Sequence, residues 1–367
     1  MNRSIRVAAA MATFIWCAGS AALAQQQQAD KPSFTSDGVA HVPAFNLPPS
    51  TFMSREAVDQ LKSRANTDVA VATSFGSSIA EMRANVERTL KPMLASAQKR
   101  YSVQVTAQEI AGVKTHVVIP TSGEADHSRI LINLHGGGFM MCAYGCALVE
   151  SIPIAAVGRF KVVTVDYREG PENIFPAATE DVIAVYKELL KSYQPGKIGI
   201  YGCSAGGQLT GQVEAWILDK GLPSPGALGI FGAGGARFGV GDSAYLAGYI
   251  DGAFPPPRPD GTASMPPPYF KGADMNSMLV SPAGYPSILA KFPATMIITG
   301  TRAPDLSPAV YTHFQLMKAG APSNLIVGEG MGHCYVNDPD LPEARDTYEI
   351  IARFFSDHLG NHVRSTT

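Results

Sequence analysis

The chain has 367 residues, of which 46% are hydrophobic and 16% charged, and its formal net charge is −2 at pH 7. That length fits one large domain or two ordinary ones, and the apolar fraction is enough for a substantial core. The nearly balanced net charge gives no indication of a basic surface of the kind that binds nucleic acid, so we expect no nucleic acid partner.

The N-terminal residues predict a secretory signal peptide. Arg3 and Arg6 precede an apolar run at 7–18, and Ala22-Leu23-Ala24 matches an A-x-A cleavage site. A membrane anchor is the alternative, but the run is short for a span and glutamines follow directly after the cleavage site. We therefore expect residues 1–24 to be removed and the mature protein to be exported, periplasmic or secreted, with no membrane anchor.

Two regions follow before the chain becomes rich in β-like runs. Residues 25–50 are polar and then proline-rich, so we expect them to wrap the surface or stay mobile. Segments 54–66 and 76–99 have helical character. The candidate N-caps of these two helices are Ser54 and either Ser77 or Ser78.

From Tyr101 onward, short apolar runs alternate with helix-compatible segments. The predicted strands are 101–109, 113–119, 129–135, 161–166, 197–201, 226–231, 293–299 and 323–328. The predicted helices are 179–193, 207–219, 308–319 and 342–358. Strands that alternate with helices favour an α/β fold with a mostly parallel sheet and helices on both faces.

Residues 202–206 read Gly-Cys-Ser-Ala-Gly and lie between a strand candidate and a helix candidate. In this context a G-x-S-x-G pentapeptide forms a nucleophile elbow. Gly202 and Gly206 allow neighbouring backbone to approach closely, and the strained apex presents the hydroxyl of Ser204 to solvent. An ordinary glycine turn after a strand is the alternative.

Residues 135–138 read His-Gly-Gly-Gly after a second apolar run, a pattern that arises by chance far less often than the pentapeptide. Successive glycines let backbone N–H groups approach a ligand closely. Beside an activated serine, such groups bind the oxyanion that develops during acyl transfer. A glycine-rich loop or an anion nest is the alternative, but the two motifs together favour a serine hydrolase.

With these motifs, the chain resembles the α/β-hydrolase esterases related to hormone-sensitive lipase. Four blocks carry the resemblance: His135-Gly136-Gly137-Gly138-Phe139; Asp166-Tyr167-Arg168 with Pro171-Glu172 and Phe175-Pro176-Ala177; Gly202-Cys203-Ser204-Ala205-Gly206-Gly207; and Gly332-His333. The resemblance implies an α/β-hydrolase fold, with a mostly parallel eight-stranded sheet and a helical cap. It also implies hydrolysis of small or medium-sized carboxylic esters without a metal or cofactor.

The resemblance also implies a division of the chain. Residues 25–100 would supply an N-terminal segment and cap helices, and residues 101–367 the catalytic domain with a cap insertion at about 235–285. The proline-rich stretch 254–268 lies in that insertion and could fold over the site, with a disordered surface loop as the alternative.

The resemblance assigns a role to individual residues. Ser204 is the nucleophile, His333 the base and Asp305 the acid, in the chain order Ser–Asp–His that these hydrolases share. Backbone N–H groups supply the oxyanion donors. These donors belong to Gly137, Gly138 and Ala205.

Two positions depart from the family pattern. Cys203 stands where the family usually has Asp before the nucleophile. The acid commonly follows a segment like 300–302 directly, but here Ala303 follows it and Asp305 is the first carboxylate. The loop must therefore carry the acid differently.

Several assignments keep an alternative. Cys203 competes with Ser204 on chemical reactivity, although only the third residue of the elbow occupies its apex. Asp305 would also suit the cap of the following helix, and Asp274 and Glu329 are the other candidate acids. The remaining histidines fit the role of base less well; they include His313, His358 and His362.

The predicted cleavage leaves Cys142, Cys146, Cys203 and Cys334, and the sequence does not fix how they pair. Buried free thiols are the favoured state. A disulfide between Cys203 and Cys334 is the alternative, because both adjoin catalytic candidates and the protein is expected to be exported. None of the four shows zinc-site spacing, so we expect no metal.

Asp166, Arg168 and Glu172 are interpreted as a buried polar network that supports the loop beneath the site. The whole pattern predicts an exported serine esterase that acts on a small-molecule ester. Amide, lactone or acetylated-sugar hydrolysis on the same scaffold is the alternative. A non-enzymatic binding protein is less favoured, since the displaced acid is its only support. A homodimer is compatible with the sequence.

Overall fold

A computed structural model describes residues 31–64, 78–123, 126–251, 254 and 267–360 of the chain. The predicted signal peptide at 1–24 and most of the proline-rich stretch 254–268 lie outside these residues. The chain divides into two units, Met1–Pro48 and Pro49–Thr367. In the first, β1 (Ser33–Phe34) pairs antiparallel with β2 (Ala40–His41), a pairing that the sequence pattern did not predict.

The second unit is built on an eight-stranded sheet. Its strands are β3 (Val103–Ile110), β4 (Val113–Pro120), β5 (Asp126–Leu134), β6 (Phe160–Val165), β7 (Ile198–Cys203), β8 (Ala227–Phe231), β9 (Ala294–Gly300) and β10 (Ser323–Gly328). Their order is β10-β9-β8-β7-β5-β6-β4-β3. Only the pairs β3–β4 and β4–β6 of this sheet are antiparallel. The mostly parallel eight-stranded sheet predicted from the sequence is therefore confirmed.

Helices occupy the connections between most of these strands. They are α1 (Arg55–Ser63), α2 (Ile79–Arg100), α3 (Gly145–Gly158), α4 (Ala177–Leu189), α5 (Ala205–Asp219), α6 (Asp242–Ile250), α7 (Pro286–Leu289), α8 (Leu306–Lys318) and α9 (Pro342–His358). Ser54 caps α1, and Ser78 forms a capping box with Glu81 at the start of α2. Both helices thus begin at serines that the sequence analysis predicts as candidate N-caps.

Helix α3 was not predicted, and its composition explains why. Residues 147–155 are all buried, so the helix has no polar face and shows no 3.6-residue alternation of polar and apolar positions. Pro153 lies inside it, which also disfavours a helix on sequence grounds.

Two hydrophobic cores lie on the two faces of the sheet. Along β5, Ile130 and Ile132 belong to one core and Leu131 to the other, because successive side chains of a strand point to opposite faces. The first core includes residues of α4, α5 and α8, and the second includes residues of α2, α3 and α9. Helices thus cover both faces, as predicted.

The strand register gathers the candidate catalytic loops at one edge. Leu134 pairs with Gly202, and Gly300 pairs with Gly328, so β5 ends level with β7 and β9 ends level with β10. Parallel strands present their carboxyl ends at the same edge of a sheet, where ligands of α/β folds bind. Across the part of the chain that the structure describes, no helix is both long and apolar enough to cross a membrane.

Phe355 on α9 tests the core assignment. Its side chain is fully buried, and a Cβ added to Gly199 of β7 would lie 2.8 Å from its ring. We expect Phe355→Ala to lower the free energy of unfolding by about 3–5 kcal/mol, measured by urea denaturation. Phe314→Ala is the control, because that ring is 62% exposed and its loss should cost within about 0.5 kcal/mol. Equal losses in the two variants would contradict the assignment.

Candidate active site

Ser204 occupies the turn between β7 and α5 with φ 58° and ψ −121°, a strained left-handed backbone for a residue with a side chain. The flanking glycines leave room for this turn. A Cβ on Gly202 would lie 2.0 Å from the carbonyl oxygen of Leu134, and a Cβ on Gly206 would lie 1.7 Å from the same oxygen. The elbow therefore needs glycine at both positions because the end of β5 passes directly against it.

The structure brings the three candidate catalytic residues into one hydrogen-bonded chain. Ser204 Oγ lies 2.9 Å from His333 Nε2, and His333 Nδ1 lies 2.5 Å from Asp305 Oδ1. Asp305 Oδ2 accepts a second hydrogen bond, from the hydroxyl of Thr299 at 2.6 Å. Asp305 is fully buried, and the side chain of His333 is 12% exposed. Two donors on the aspartate suit a carboxylate that holds Nδ1 protonated and leaves Nε2 free to accept the serine proton.

The alternative roles of Asp305 and the other candidate acids can be compared directly. Asp305 occupies the N-cap position of α8, but its side chain makes no capping bond and points to His333 instead. Asp274 is exposed and accepts the N–H of Asn276, and Glu329 is exposed as well. Of the three other histidines considered as the base, two are bonded elsewhere and one lies outside the described residues. They are His313, bonded to Ser323; His358, bonded to the carbonyl of Phe354; and His362.

The His-Gly-Gly-Gly loop presents backbone N–H groups beside Ser204. Gly137 has φ 106° and Gly138 has φ 64°, and a Cβ on Gly137 would lie 1.8 Å from the carbonyl oxygen of Met141. Within the described ranges, no protein acceptor is bonded to the N–H of Gly137 or Gly138. Ala205 is the first residue of α5, where N–H groups have no acceptor within the helix. These three groups can therefore donate to an oxyanion.

His135 holds this loop from beneath. Its ring is stacked on that of Tyr167 at 4.1 Å, its Nδ1–H donates to the carbonyl of Gly136 at 2.7 Å, and the Tyr167 hydroxyl donates to the His135 carbonyl at 2.7 Å. Complete burial lowers the pKa of His135 to about 4, although the hydrogen bond that its ring donates to the Gly136 carbonyl acts to raise it. The imidazole is therefore neutral at pH 7, and its contacts are those of a residue that shapes the turn.

Glu150 on α3 connects the two motifs and was missed from the sequence. Its Oε1 accepts the N–H of Gly136 at 2.9 Å. Its Oε2 accepts the N–H of Cys203 at 3.2 Å and the side-chain amide of Asn133 at 2.9 Å. One carboxyl group thus holds the residue before the oxyanion donors and the residue before the nucleophile. The available signal was the single charged residue in the mostly apolar run at 147–155.

Burial raises the pKa of Glu150 to about 8, although the N–H groups bonded to it act to lower it. The carboxyl is therefore largely neutral at pH 7. The Oδ1 atom of Asn133 is buried without a partner in the described structure. Rotating that amide by a half-turn would let Oδ1 accept the proton of the neutral carboxyl.

Residues from the insertion pack against the base and the loop that carries it. The rings of Phe238 and Phe254 meet the imidazole of His333 edge-on, with centroids 5.6 and 5.0 Å away. Asp251, at the end of α6, is buried and paired with Arg64 at 2.6 Å. A Cβ on Gly332 would lie 2.8 Å from the carboxylate of Asp251, so the insertion contacts the loop that carries the base. No sequence motif marks these residues.

The cysteines form two disulfides, Cys142–Cys146 and Cys203–Cys334. The expectation of free thiols was wrong, because the loop after β10 runs past the ends of β9 and β8 and reaches the end of β7, where the Cα atoms of Cys203 and Cys334 lie 6.2 Å apart. As part of a disulfide, Cys203 has no thiolate and does not compete with Ser204 as nucleophile. No group of three or more His, Cys, Asp or Glu side chains in the described ranges could hold a metal ion.

The polar network predicted beneath the site does not form as one buried cluster. Glu172 pairs with Arg83 of α2 at 2.8 Å, and its side chain is 51% exposed. Arg168 pairs with Asp181 of α4 at 2.9 Å and is 47% exposed. The prediction was wrong because Glu172 and Arg168 each bind a helix that covers the sheet instead of binding each other.

The role of Asp305 can be tested by Asp305→Asn, which keeps the side-chain shape but no longer fixes the tautomer of His333. We expect kcat for p-nitrophenyl acetate to fall by about 10⁴-fold, measured by steady-state kinetics. The exposed Asp274 provides the control, and Asp274→Asn should leave kcat unchanged. A loss of less than tenfold in the Asp305 variant would refute its role.

The neutral state of Glu150 predicts a pH dependence of stability. The carboxyl binds its proton up to about pH 8 in the folded protein but only up to pH 4.5 when unfolded, so its contribution to stability falls as pH rises through this window. Glu150→Gln removes this titration. We expect the free energy of unfolding of the variant, minus that of the wild type, to rise between pH 4.5 and 8 in urea denaturation.

Asp59→Asn is the control for this measurement. Its hydrogen bond with Lys62 lowers the pKa of Asp59, so that carboxyl titrates below the same window in the folded protein. Its difference from the wild type should stay flat between pH 4.5 and 8. A flat difference for Glu150→Gln as well would contradict the neutral state.

Comparison with known proteins identifies the family. A family model described as α/β hydrolase fold matches residues 131–337, more than half of the chain. An acetyl-hydrolase of Streptomyces hygroscopicus is 28% identical over 242 residues, which cover 64% of this chain and 78% of that protein. A versiconal hemiacetal acetate esterase of Dothistroma septosporum is 32% identical over 140 residues, covering 37% of this chain and 42% of that protein. For several such relatives, the chain spans less than half of their length.

Solved structures show the same likeness over a larger share of the chain. The crystal structure of esterase E25 is 28% identical, with a TM-score of 0.74 over 87% of this chain and 99% of that one. An esterase of the bacterial hormone-sensitive lipase family is 24% identical, with a TM-score of 0.71 over 83% and 97% of the two chains, and shares the fold. The resemblance predicted from the motifs is thus confirmed, and the chain belongs to the α/β hydrolase fold family.

Proposed function

We propose that this protein is an exported serine hydrolase that cleaves carboxylic esters of small to medium acyl chain through a Ser204–His333–Asp305 triad and an acyl-enzyme. The observation that carries the proposal is the hydrogen-bonded chain from Ser204 Oγ through His333 to buried Asp305. It lies beside N–H groups of Gly137 and Gly138 that have no protein acceptor in the described structure.

Acylation follows from this geometry. His333 Nε2 takes the proton of Ser204 while Oγ attacks the ester carbonyl carbon, and Asp305 stabilises the imidazolium that forms. The carbonyl oxygen becomes an oxyanion, which the N–H groups of Gly137, Gly138 and Ala205 would bind. The bond to the alcohol oxygen then breaks, and His333 returns its proton to the departing alkoxide. The acyl group remains on Ser204.

Deacylation repeats these steps with water in place of serine. His333 Nε2 takes a proton from water, whose oxygen attacks the acyl carbon and forms a second oxyanion in the same place. The bond to Ser204 Oγ breaks, the serine recovers its proton from His333, and the free acid leaves. Each donor thus serves both halves of the reaction.

The names of two relatives support a small acyl group, since one is an acetyl-hydrolase and the other an acetate esterase. The aromatic rings of Phe238 and Phe254 beside His333 provide apolar surface at the site. Amide, lactone and acetylated-sugar substrates remain alternatives on the same scaffold. The alternative of a non-enzymatic binding protein relied on a displaced acid, and Asp305 lies within hydrogen-bond distance of His333.

Export is proposed from the N-terminal sequence, which lies outside the described residues. The two disulfides support it, because such bonds persist in the periplasm and outside the cell and are rare in the cytosol. Cell fractionation tests this part of the proposal. A protein found in the cytosol with residues 1–24 intact would contradict it.

The central test is Ser204→Ala. We expect turnover of p-nitrophenyl acetate and butyrate to fall by about 10⁶-fold, because only water can attack the ester once the serine hydroxyl is removed. A fluorophosphonate probe should label the wild type at Ser204 and leave the variant unlabelled. The control is Ser128→Ala, since Ser128 is an exposed serine outside the site.

Three outcomes would contradict the proposal. Unchanged turnover in Ser204→Ala would remove the nucleophile assignment. Faster hydrolysis of p-nitrophenyl palmitate than of the acetate or butyrate would exclude a preference for small or medium acyl chains. Amide or lactone hydrolysis without ester turnover would select the alternative substrate class.

A further inference from the structure

We propose that the Cys203–Cys334 disulfide positions the triad, so that the rate at which Ser204 and His333 act depends on the oxidised state of this one bond. The inference rests on the proposed function and extends it to the control of the same site. Cys203 immediately precedes Ser204, and Cys334 immediately follows His333. The bond therefore ties the nucleophile to its base across 131 residues of sequence.

The disulfide packs between the end of β8 and the imidazole of His333. The surroundings of Gly232, just after β8, show this packing. A Cβ on Gly232 would lie 2.6 Å from Cys334 Sγ, 2.9 Å from Cys203 Sγ and 3.3 Å from His333 Cε1. The two sulfur atoms thus fill the space between the end of β8 and the base.

The loop that carries His333 needs such a restraint. It contains Gly328, Gly330 and Gly332, and glycine leaves the backbone more conformational freedom than any other residue. Three hydrogen bonds hold it to the loop after β9 in the described structure: Thr301 N–H to the Gly328 carbonyl at 3.0 Å, Gly330 N–H to Thr301 Oγ1 at 2.7 Å and Arg302 N–H to the Met331 carbonyl at 3.0 Å. All three lie before His333 in the chain, whereas the disulfide fixes the residue directly after it.

A second effect arises from the sulfur itself. Cys334 Sγ lies 3.6 Å from His333 Nε2, the nitrogen that bonds Ser204 Oγ at 2.9 Å. In the disulfide, this sulfur carries no proton. After reduction it becomes a thiol with an ordinary pKa of about 8.5, far more acidic than a serine hydroxyl. The thiol then competes with Ser204 for the base and can hold it as an imidazolium.

The chemistry of the switch is an ordinary thiol–disulfide exchange. A small dithiol attacks the bond through one thiolate, and its second thiol completes the exchange. The Cys203–Cys334 bond breaks, both cysteines gain a proton and an electron, and the dithiol is oxidised to a disulfide. Cys334 is only partly buried, whereas Cys203 is fully buried, so the reagent would meet the sulfur of Cys334.

The experiment compares the mature wild type before and after treatment with dithiothreitol. The free thiols are alkylated and counted by mass spectrometry, and kcat and KM are measured with p-nitrophenyl acetate. Active sites are titrated in parallel, so that kcat refers to competent molecules only. We expect reduction to lower kcat by roughly 10–100-fold, as small misplacements of catalytic groups do, with KM within about twofold. Reoxidation by glutathione disulfide should restore kcat.

Paired variants identify the responsible bond. The double variant Cys142→Ala/Cys146→Ala keeps the Cys203–Cys334 bond and should still lose kcat on reduction. The double variant Cys203→Ala/Cys334→Ala should have a reduced kcat that dithiothreitol no longer changes. The single variant Cys203→Ala leaves a free thiol beside His333. Its kcat should lie below that of the Cys203/Cys334 double variant, and the gap should change as pH passes through the thiol pKa.

The outcomes separate this inference from the proposed function. An unchanged kcat in wild type whose four thiols are counted as free would overturn the inference and leave the esterase intact. The inference is also overturned if reduction lowers only the number of titrated active sites and leaves kcat per active site unchanged. In that case the bond would only maintain the fold. Loss of the redox response in Cys142→Ala/Cys146→Ala would also overturn it. Absence of ester turnover in the oxidised wild type would overturn both proposals.

Discussion

The carbonyl oxygen of Leu134 sets the geometry on which the site depends. It lies so close to the elbow that neither Gly202 nor Gly206 could carry a Cβ, and the His-Gly-Gly-Gly loop begins at the next residue. The nucleophile and the oxyanion donors are therefore placed relative to each other by backbone packing. Glu150 reinforces this contact from below, since one carboxyl group accepts N–H groups from both loops. A serine hydrolase gains from such rigidity, because donors fixed in advance need no rearrangement when the oxyanion forms.

Two buried carboxyl groups serve the site in different ways. Asp305 accepts hydrogen bonds from His333 and Thr299, an arrangement that suits a carboxylate facing an imidazole that becomes positively charged. Burial raises the pKa of Glu150 to about 8, so a largely neutral group lies beneath the oxyanion donors. A full negative charge there would oppose the developing oxyanion. The difference in environment thus places negative charge beside the base and keeps it away from the oxyanion.

Much of this site could be predicted from the sequence, because the turns that need glycine are formed by residues that are adjacent in the chain. The two glycine motifs mark turns that only small residues allow, and apolar runs of strand length mark the sheet that aligns them. Asp305 could be proposed from chain order alone, but not distinguished from a helix cap, since its position before α8 suits both roles. Only the direction of its side chain separates them.

The parts that the sequence did not predict depend on contacts between distant segments. Helix α3 is buried on all sides, so it lacks the amphipathic pattern of a surface helix, and Glu150 was missed with it. The pairing of Cys203 with Cys334 depends on the path of the loop after β10 across the ends of β9 and β8, which spacing in the chain does not encode. The contact of Asp251 with Gly332 likewise requires the path of the insertion. These features surround residues that motifs identify, and they determine how firmly those residues are held.

The account depends on a covalent intermediate at Ser204. The most direct measurement is to mix the oxidised protein with excess p-nitrophenyl acetate, quench with acid during the first turnover and locate the acetyl group by peptide mass spectrometry. The account predicts acetylation of the peptide that contains Ser204, at up to one group per chain, with simultaneous release of p-nitrophenol. Acetylation at another residue, or release of p-nitrophenol from Ser204→Ala at the wild-type rate, would contradict it.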